Sequence, residues 1–324
     1  MAGYHPEQTQ RGFETRTHDV DVCVVGGGLA GICAAIAAAR EGARVLIMQD
    51  RPMFGGNASS EIRMWVCGAH GENKRETGIV EELELENIYR NPSKNYSLWD
   101  SVLYEKVRSE KNLTALLNCS CLDAQMDGVS IASVTGWQMS TQQYHRVNAR
   151  IFIDCSGDSV LAPLTGALYR VGREARDEFD EDIEPERADE TVMGMSILLQ
   201  ARETAEPTKF IPPAWAYKFP EQSQIPFRET HPKDSNYWWI ETGGLGDTIG
   251  STEEFRDELL KIAYGVWDHV KNGDPGYDAS YRELDWVGFL PGKRESRRYV
   301  GDYMINQRDV RAGGPFEDVV AYAG

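Results

Sequence analysis

The run Gly26-Gly27-Gly28-Leu29-Ala30-Gly31 places three glycines at the G-x-G-x-x-G spacing that suits a phosphate-bearing dinucleotide. Gly26 permits a tight strand-to-helix turn, Gly28 lets the backbone approach a pyrophosphate, and Gly31 lets the helix lie close on the strand. The helix start then offers free N–H groups and a positive dipole end to the phosphates. A second glycine pair lies in Arg51-Pro52-Met53-Phe54-Gly55-Gly56-Asn57. A side chain at Gly55 or Gly56 would clash with a dinucleotide running along that loop. A third turn, Gly157-Asp158, ends the apolar run that starts at Phe152. The residue that meets the ribose at the end of the second strand is usually an acid. By register it is Gln49 here, with Asp50 next, so a ribose contact is expected at Gln49 or Asp50. The plainer reading of Asp50 is that it opens the turn before Arg51-Pro52.

Candidate proton carriers and charged groups follow. His70, in the loop after Cys67-Gly68-Ala69, is the first choice for moving a proton. His269 is second, because a histidine on an amphipathic helix is more often a surface or packed residue. Arg63, Arg294, Arg297 and Arg298 are cations that can favour an electron-rich ligand, and Glu61 can hold one of them. The plain reading of Arg294 to Arg298 is a solvated charge cluster. The catalytic candidates are His70, Arg63 and Arg297. The six cysteines contain no CxxC pair, so neither zinc nor an iron–sulfur cluster has a ligand framework. Cys23, Cys33 and Cys155 suit core positions, and Cys119 and Cys121 share a strand face where packing outweighs redox chemistry. The acidic run from Asp177 to Glu190 lacks ligand spacing, so no metal is expected there.

These residues need elements to hold them. Val22-Cys23-Val24-Val25 is a continuous apolar run of the kind buried in a parallel sheet. An alanine-rich helix is expected from about Leu29 to Glu41, ended by Gly42, with a second buried strand from Ala43 to Met48. Short strands broken at Asp127-Gly128 suggest an antiparallel meander between Leu113 and Ile153. From about Ala167 to Trp286 the strand–helix alternation is lost. The acidic run is expected as a solvated loop or helix face, and Thr191 to Leu199 as one strand. The aromatics between Phe210 and Gly244 suit core packing and ligand stacking equally. Ser251 or Thr252 is expected to cap a helix that runs through Trp267.

With 324 residues and 41% hydrophobic composition, the chain can bury a sizeable core. Its net charge of −17 repels nucleic-acid backbones and anionic lipid, so neither is an expected partner. The apolar run Ile32 to Ala39 is too short to span a bilayer, and the polar N-terminus resembles no signal peptide. A cytoplasmic location is therefore expected.

The strings RPMFGGNASSEIRMWVCGAHG, FIDCSGDSVLA, YGVWDHVKN and PGKRESRRYVGDYMINQRDV together carry a family resemblance. The chain resembles FAD-dependent oxidoreductases related to the flavoprotein component of heterodisulfide reductase. It is more distantly similar to fumarate reductase and glutathione reductase flavoproteins. The resemblance implies an α/β fold: an FAD-binding Rossmann-like domain of glutathione reductase/fumarate reductase type, with an antiparallel β-meander and an inserted α+β substrate domain. The expected boundaries are a flexible N-terminus over 1–18, the FAD-binding domain over 19–166, the substrate domain over 167–290, and a return toward the FAD domain over 291–324. The resemblance also implies non-covalent FAD and a small organic, carbohydrate-derived substrate that gives a hydride to the flavin. A homo-oligomer is compatible with it.

This chain departs from that pattern in two ways. It lacks the cysteine-rich iron–sulfur segments of the heterodisulfide reductase flavoproteins, so no cluster is carried over. It also stops at Ala321-Tyr322-Ala323-Gly324, where a further strand and glycine-rich helix start are expected. It therefore reads as C-terminally truncated, and the alternative function is a non-catalytic dinucleotide-binding fragment. A flavoprotein of non-redox chemistry, such as RNA modification, fits the acidic charge poorly.

Overall fold

The computed structural model describes residues 12–68, 76–225, 228, 230–231, 236–313 and 316–317. An exposed strand β1 (Thr15–Asp19) leads into β2 (Val22–Val25), helix α1 (Leu29–Arg40) and β3 (Val45–Met48). Helices α2 (Gly78–Arg90) and α3 (Tyr96–Ser109) follow, then β4 (Leu113–Leu116), β5 (Cys119–Asp127), β6 (Ser130–Gln138), β7 (Gln143–Asn148) and β8 (Ile151–Asp154). A parallel sheet forms in the order β4-β3-β2-β8. Its central strands are buried at every position, which is why they read as unbroken apolar runs.

The two faces of this sheet take alternate residues. Val22, Val24, Val45 and Ile47 pack with Ile32 and Ile36 of α1 and Leu103 and Val107 of α3. Cys23, Val25, Leu46 and Met48 face the other way, onto Cys119, Val134 and Val147 of the meander. Contact there is close: a Cβ at Gly136 would lie 2.7 Å from Cys119 Sγ and 2.8 Å from Met48 Sδ. Burial raises the thiol pKa of Cys119 and Cys121 to about 12, consistent with their packing role.

The composition places the start of the meander at Leu113. Instead, Leu113–Leu116 pairs parallel with β3, and the antiparallel part begins at Cys119. Both segments are short and apolar, and only the pairing partner separates them. The turn at Asp127-Gly128 is where the composition placed it, with Gly128 at φ +60°.

After α4 (Leu161–Thr165), β9 (Tyr169–Arg170) and α5 (Arg176–Phe179), a second core assembles from β10 (Met195–Ser196), β11 (Leu199–Glu203), β12 (Asn236–Tyr237), β13 (Glu241–Thr242), α6 (Thr252–Asp268), β14 (Arg282–Val287) and β15 (Gly292–Lys293). The chain ends with β16 (Arg298–Tyr299) and α7 (Gln307–Arg311). The sheets β13-β10-β15 and β12-β11-β14 pack with α6 around Tyr237, Leu259, Ala263 and Trp267.

The segment Thr191 to Leu199, expected as one strand, is split between these two sheets. Met195, Ile197, Leu198 and Leu199 are all buried, so the segment is a core run and not a one-faced strand. The hydrogen-bonding partner changes between them: Ile197 N–H donates to Ile240 O at 3.0 Å, outside either ladder. Tyr237 and Trp239 are buried in this core, while Trp215, Tyr217 and Trp238 are exposed. Ser251 occupies the N-cap of α6 without a side-chain cap bond, and the Thr252 hydroxyl bonds the Thr248 and Ile249 carbonyls instead.

The acidic run is exposed but tethered, with Asp182 paired to Arg311 at 2.8 Å and Asp189 paired to Arg173. Among the described residues no helix is long and apolar enough to cross a membrane, and no group of three or more acidic, His or Cys side chains could hold a metal ion.

Candidate FAD site

A cleft of about 860 Å³ opens at the C-terminal ends of β2, β3 and β8. Parallel α/β sheets bind ligands at that end, where loops diverge and helix starts point. Its walls come from 28–30, 49–52, 55–58, 155–158, 290–291 and 293–296, together with Thr252 and parts of 61–66.

The glycines divide the work as their spacing suggests. Gly26 has φ +103°, and a Cβ there would lie 2.3 Å from the Cys155 carbonyl oxygen. A Cβ at Gly31 would lie 1.9 Å from Gly26 O, so this glycine lets α1 sit against the turn. A Cβ at Gly28 would meet nothing within 4 Å, because that position faces the cleft. Helix α1 starts there with no side-chain cap and no acid in its first turn, so its first N–H groups lack a side-chain partner. The second glycine pair is built onto the first: Gly55 N–H donates to Gly27 O at 2.9 Å. Gly55 and Gly56 both have positive φ, and a Cβ at Gly55 would lie 2.8 Å from Leu103 Cδ1. The protein's own packing therefore already demands glycine at position 55.

Gln49 and Asp50 both line the cleft, in different states. Gln49 is buried, and its Oε1 accepts the Gly27 N–H at 2.7 Å. The Asp50 side chain is 59% exposed, with Arg51 the near cation at 4.0 Å. Arg51 Nη1 and Glu61 Oε2 are 3.9 Å apart, both buried, and neither has a hydrogen-bond partner among the described residues. Burial holds the Glu61 carboxyl above the usual carboxylate range.

Asp158, next to Gly157, is heavily engaged. Its Oδ2 takes the Lys293 ammonium at 2.6 Å and its Oδ1 takes the Ser296 hydroxyl at 2.8 Å. Sequence reasoning misses Lys293 and Ser296. They sit within a charge-rich string whose partner lies more than a hundred residues upstream, and no local spacing signals such a contact.

The other candidates scatter. Arg63 lies outside the cleft wall, between the rings of Trp286 (4.2 Å) and Tyr96 (5.5 Å), with Nη1 donating to Gln200 Oε1 at 2.7 Å. Arg297 donates to the Asp158 carbonyl at 3.1 Å and lies over Tyr169. Arg294 lines the cleft and pairs with Glu241 at 2.7 Å. Arg298 is tied to Glu174 and Glu295. His269 is buried against Phe219 O at 2.7 Å, in a π-turn that ends α6. His70 lies outside the described residues.

The open face at Gly28, the uncapped helix start and the Arg51 cation suit an anionic dinucleotide, and a second glycine pair lies against the first turn. Fold and site together define a Rossmann-like dinucleotide-binding protein. The chain matches the family model described as FAD dependent oxidoreductase over residues 21–324, and it belongs to that family. The cofactor is FAD.

A 52-residue stretch is 46% identical to a fumarate reductase (cytochrome) of Shewanella frigidimarina, covering 16% of this chain and 9% of that protein. Among solved structures, a geranylgeranyl bacteriochlorophyll reductase-like protein from Thermoplasma acidophilum is similar over 86% of this chain and 66% of its own, at 16% identity and TM-score 0.44. L-Proline dehydrogenase from P. horikoshii covers 48% of this chain and 25% of its own, at 20% identity and TM-score 0.29.

Proposed function

We propose that this chain binds FAD non-covalently across the Gly26–Gly31 turn and oxidises a small organic substrate, carbohydrate-derived in the reading we favour. The observation that carries the proposal is the Gly28 position, open to a cleft where three glycine-bearing loops meet. Gly28 and the first N–H groups of α1 hold the pyrophosphate. Asp50 takes the ribose hydroxyls, since the Gln49 oxygen already accepts a backbone N–H. Arg51, paired at 3.9 Å with Glu61, supplies a cation at the cleft wall. Bound FAD supplies the acceptor for the hydride that the substrate loses. His70 takes the accompanying proton, and Arg294 and Lys293 at the cleft wall keep negative charge tolerable there.

The finer relation to the heterodisulfide reductase flavoprotein belongs to the same proposal. So do the glutathione reductase type of the fold, residues 167–290 as an inserted substrate domain, and a cytoplasmic location. The second core around α6 supports the inserted domain, because it packs as a unit of its own.

The test is the visible absorption of the purified protein, with and without added FAD, followed by a screen of sugars and sugar acids with a dye as acceptor. Flavin bands together with substrate-dependent dye reduction are expected. Protein that neither carries nor takes up flavin would sink the proposal. Flavin without turnover on any member of the panel would overturn the substrate class.

A further inference from the structure

Lys293 touches three separate parts of the molecule. Its ammonium donates to Asp158 Oδ2 at 2.6 Å, and its carbonyl accepts from Asn57 Nδ2 at 2.8 Å. Its backbone pairs with Met195 in the β10–β15 ladder of the second core. Asn57 directly follows the Gly55-Gly56 pair, and Asp158 directly follows Gly157. One residue therefore spans both outer loops of the cleft and joins them to the other core. Its own side chain lines the cleft and is 25% exposed.

These contacts differ from ordinary packing. The Asp158 carboxylate is closed on its other side by Ser296 Oγ, and its backbone oxygen by Arg297. All three groups come from the same five-residue stretch. A lysine placed only to stabilise the fold would gain little from a partly exposed ion pair. Here both partners flank glycine turns that hold the cofactor, and the cation faces the cleft.

We propose that Lys293 is a positioning residue of the FAD site: it fixes the spacing of the Gly55-Gly56 loop against the Gly157-Asp158 turn and links both to strand β10. The inference rests on reading the cleft as the FAD site. It has two consequences. Loss of the ammonium frees Asp158 Oδ2, leaves Ser296 and Arg297 as the remaining ties, and loosens one loop against the other, which weakens cofactor binding. It also removes a positive charge from the cleft. FAD is more negative when reduced than when oxidised, so this loss lowers the midpoint potential of bound FAD.

The experiment compares wild type with Lys293→Met, Lys293→Arg and Asp158→Asn in the full chain. Three quantities are read: the dissociation constant of FAD added to apoprotein, the midpoint potential of the bound flavin, and the melting temperature without FAD. Lys293→Met is expected to weaken FAD about tenfold or more, the size of a lost charge-assisted contact. It should also lower the midpoint potential. Lys293→Arg should restore most of the affinity, and Asp158→Asn should weaken FAD in the same direction. Hydrogen exchange should show FAD protecting the Gly157-Asp158 turn in wild type more than in Lys293→Met.

If Lys293→Met lowers the melting temperature while affinity and potential stay at wild-type values, Lys293 is only structural and the inference is overturned. If Lys293→Met does not fold, Lys293→Arg and Asp158→Asn decide on the same readouts. A wild-type protein that binds no FAD overturns the underlying reading and the inference together. A wild type that binds FAD beside unaffected variants overturns the inference alone.

Discussion

Gln49 accepts the backbone N–H of Gly27 through its Oε1 at 2.7 Å, and its Nε2 reaches the Met53 carbonyl at 3.3 Å. One buried side chain therefore braces the first glycine turn against the second glycine loop. Replacing it with leucine keeps the volume but leaves Gly27 N–H buried and unpaired. Gln49→Leu is expected to destabilise the protein by about 1–3 kcal/mol, the usual cost of an orphaned buried donor. It should also weaken FAD. Urea denaturation and FAD titration measure the two effects. A variant of wild-type stability would show that the turn holds without the brace.

Stability should also depend on pH through the pair His18 and His145, whose Nε2 and Nδ1 lie 2.9 Å apart. Gln138 fixes the protons. Its amide donates to Leu117 O at 2.8 Å, so its Oε1 accepts from His145 Nε2 at 3.1 Å. His145 Nδ1 is then the acceptor for His18 Nε2–H. With both rings protonated, two N–H groups would face each other and break the link between β1 and β7. Burial lowers both pKa values from the ordinary 6.5, and nearby Arg16 adds to this while Asp19 and Glu14 oppose it. The unfolded chain thus takes protons first as pH falls. The stabilisation is complete above 6.5 and is lost as pH drops through the lowered values in the fold. Wild type should lose stability as pH falls below 6.5, and His18→Gln should lose less. Parallel pH profiles for the two proteins would refute this.

Arg63 is a docking strut in this structure. Its backbone is left-handed, with φ +63°, and its guanidinium bridges Tyr96 of α3 to Trp286 and Gln200 of the β11–β14 pair. Arg63→Ala should destabilise by about 1–3 kcal/mol through the lost cation–π contact and hydrogen bond. Flavin content should persist. A folded, flavin-bearing Arg63→Ala protein that has lost all turnover would instead support the catalytic role its sequence position suggests.

Tyr299 donates its hydroxyl to Asp154 Oδ2 at 2.6 Å, and the same oxygen accepts Leu161 N–H at 2.8 Å. Tyr299→Phe should loosen the attachment of the return segment to the sheet end. The expected loss is about 1–2 kcal/mol, discounted for partial exposure. Proteolysis between Leu290 and Tyr299 should speed up in parallel. Unchanged cleavage would place the anchor elsewhere.

The parallel sheet, its first helix and the glycine cradle were legible because each follows from local pattern. Val22–Val25 and Val45–Met48 are buried on both faces, and the glycine spacing is set by close approach. Where a strand's partner decided its role, the sequence was silent. Leu113–Leu116 has the same composition whether it pairs in the sheet or the meander, and Thr191 to Leu199 reads as one apolar run while changing sheets at Ile197. The cleft's far wall was illegible for the same reason. Asp158 meets Lys293 and Ser296 only through the fold, and Gln49 differs from a ribose ligand only by where its amide turns.

The three glycines of the first turn place different demands on a mutant library. Gly26 and Gly31 have no room for a Cβ, so selection for folded protein alone should purge substitutions at both. Gly28 has φ −66° and open space around it, so alanine fits its backbone and touches nothing. A screen for expression and solubility should pass changes at Gly28 freely, while a screen for bound cofactor should reject them. Sequence drift at position 28 alone would therefore separate copies that still carry flavin from copies kept only for their fold.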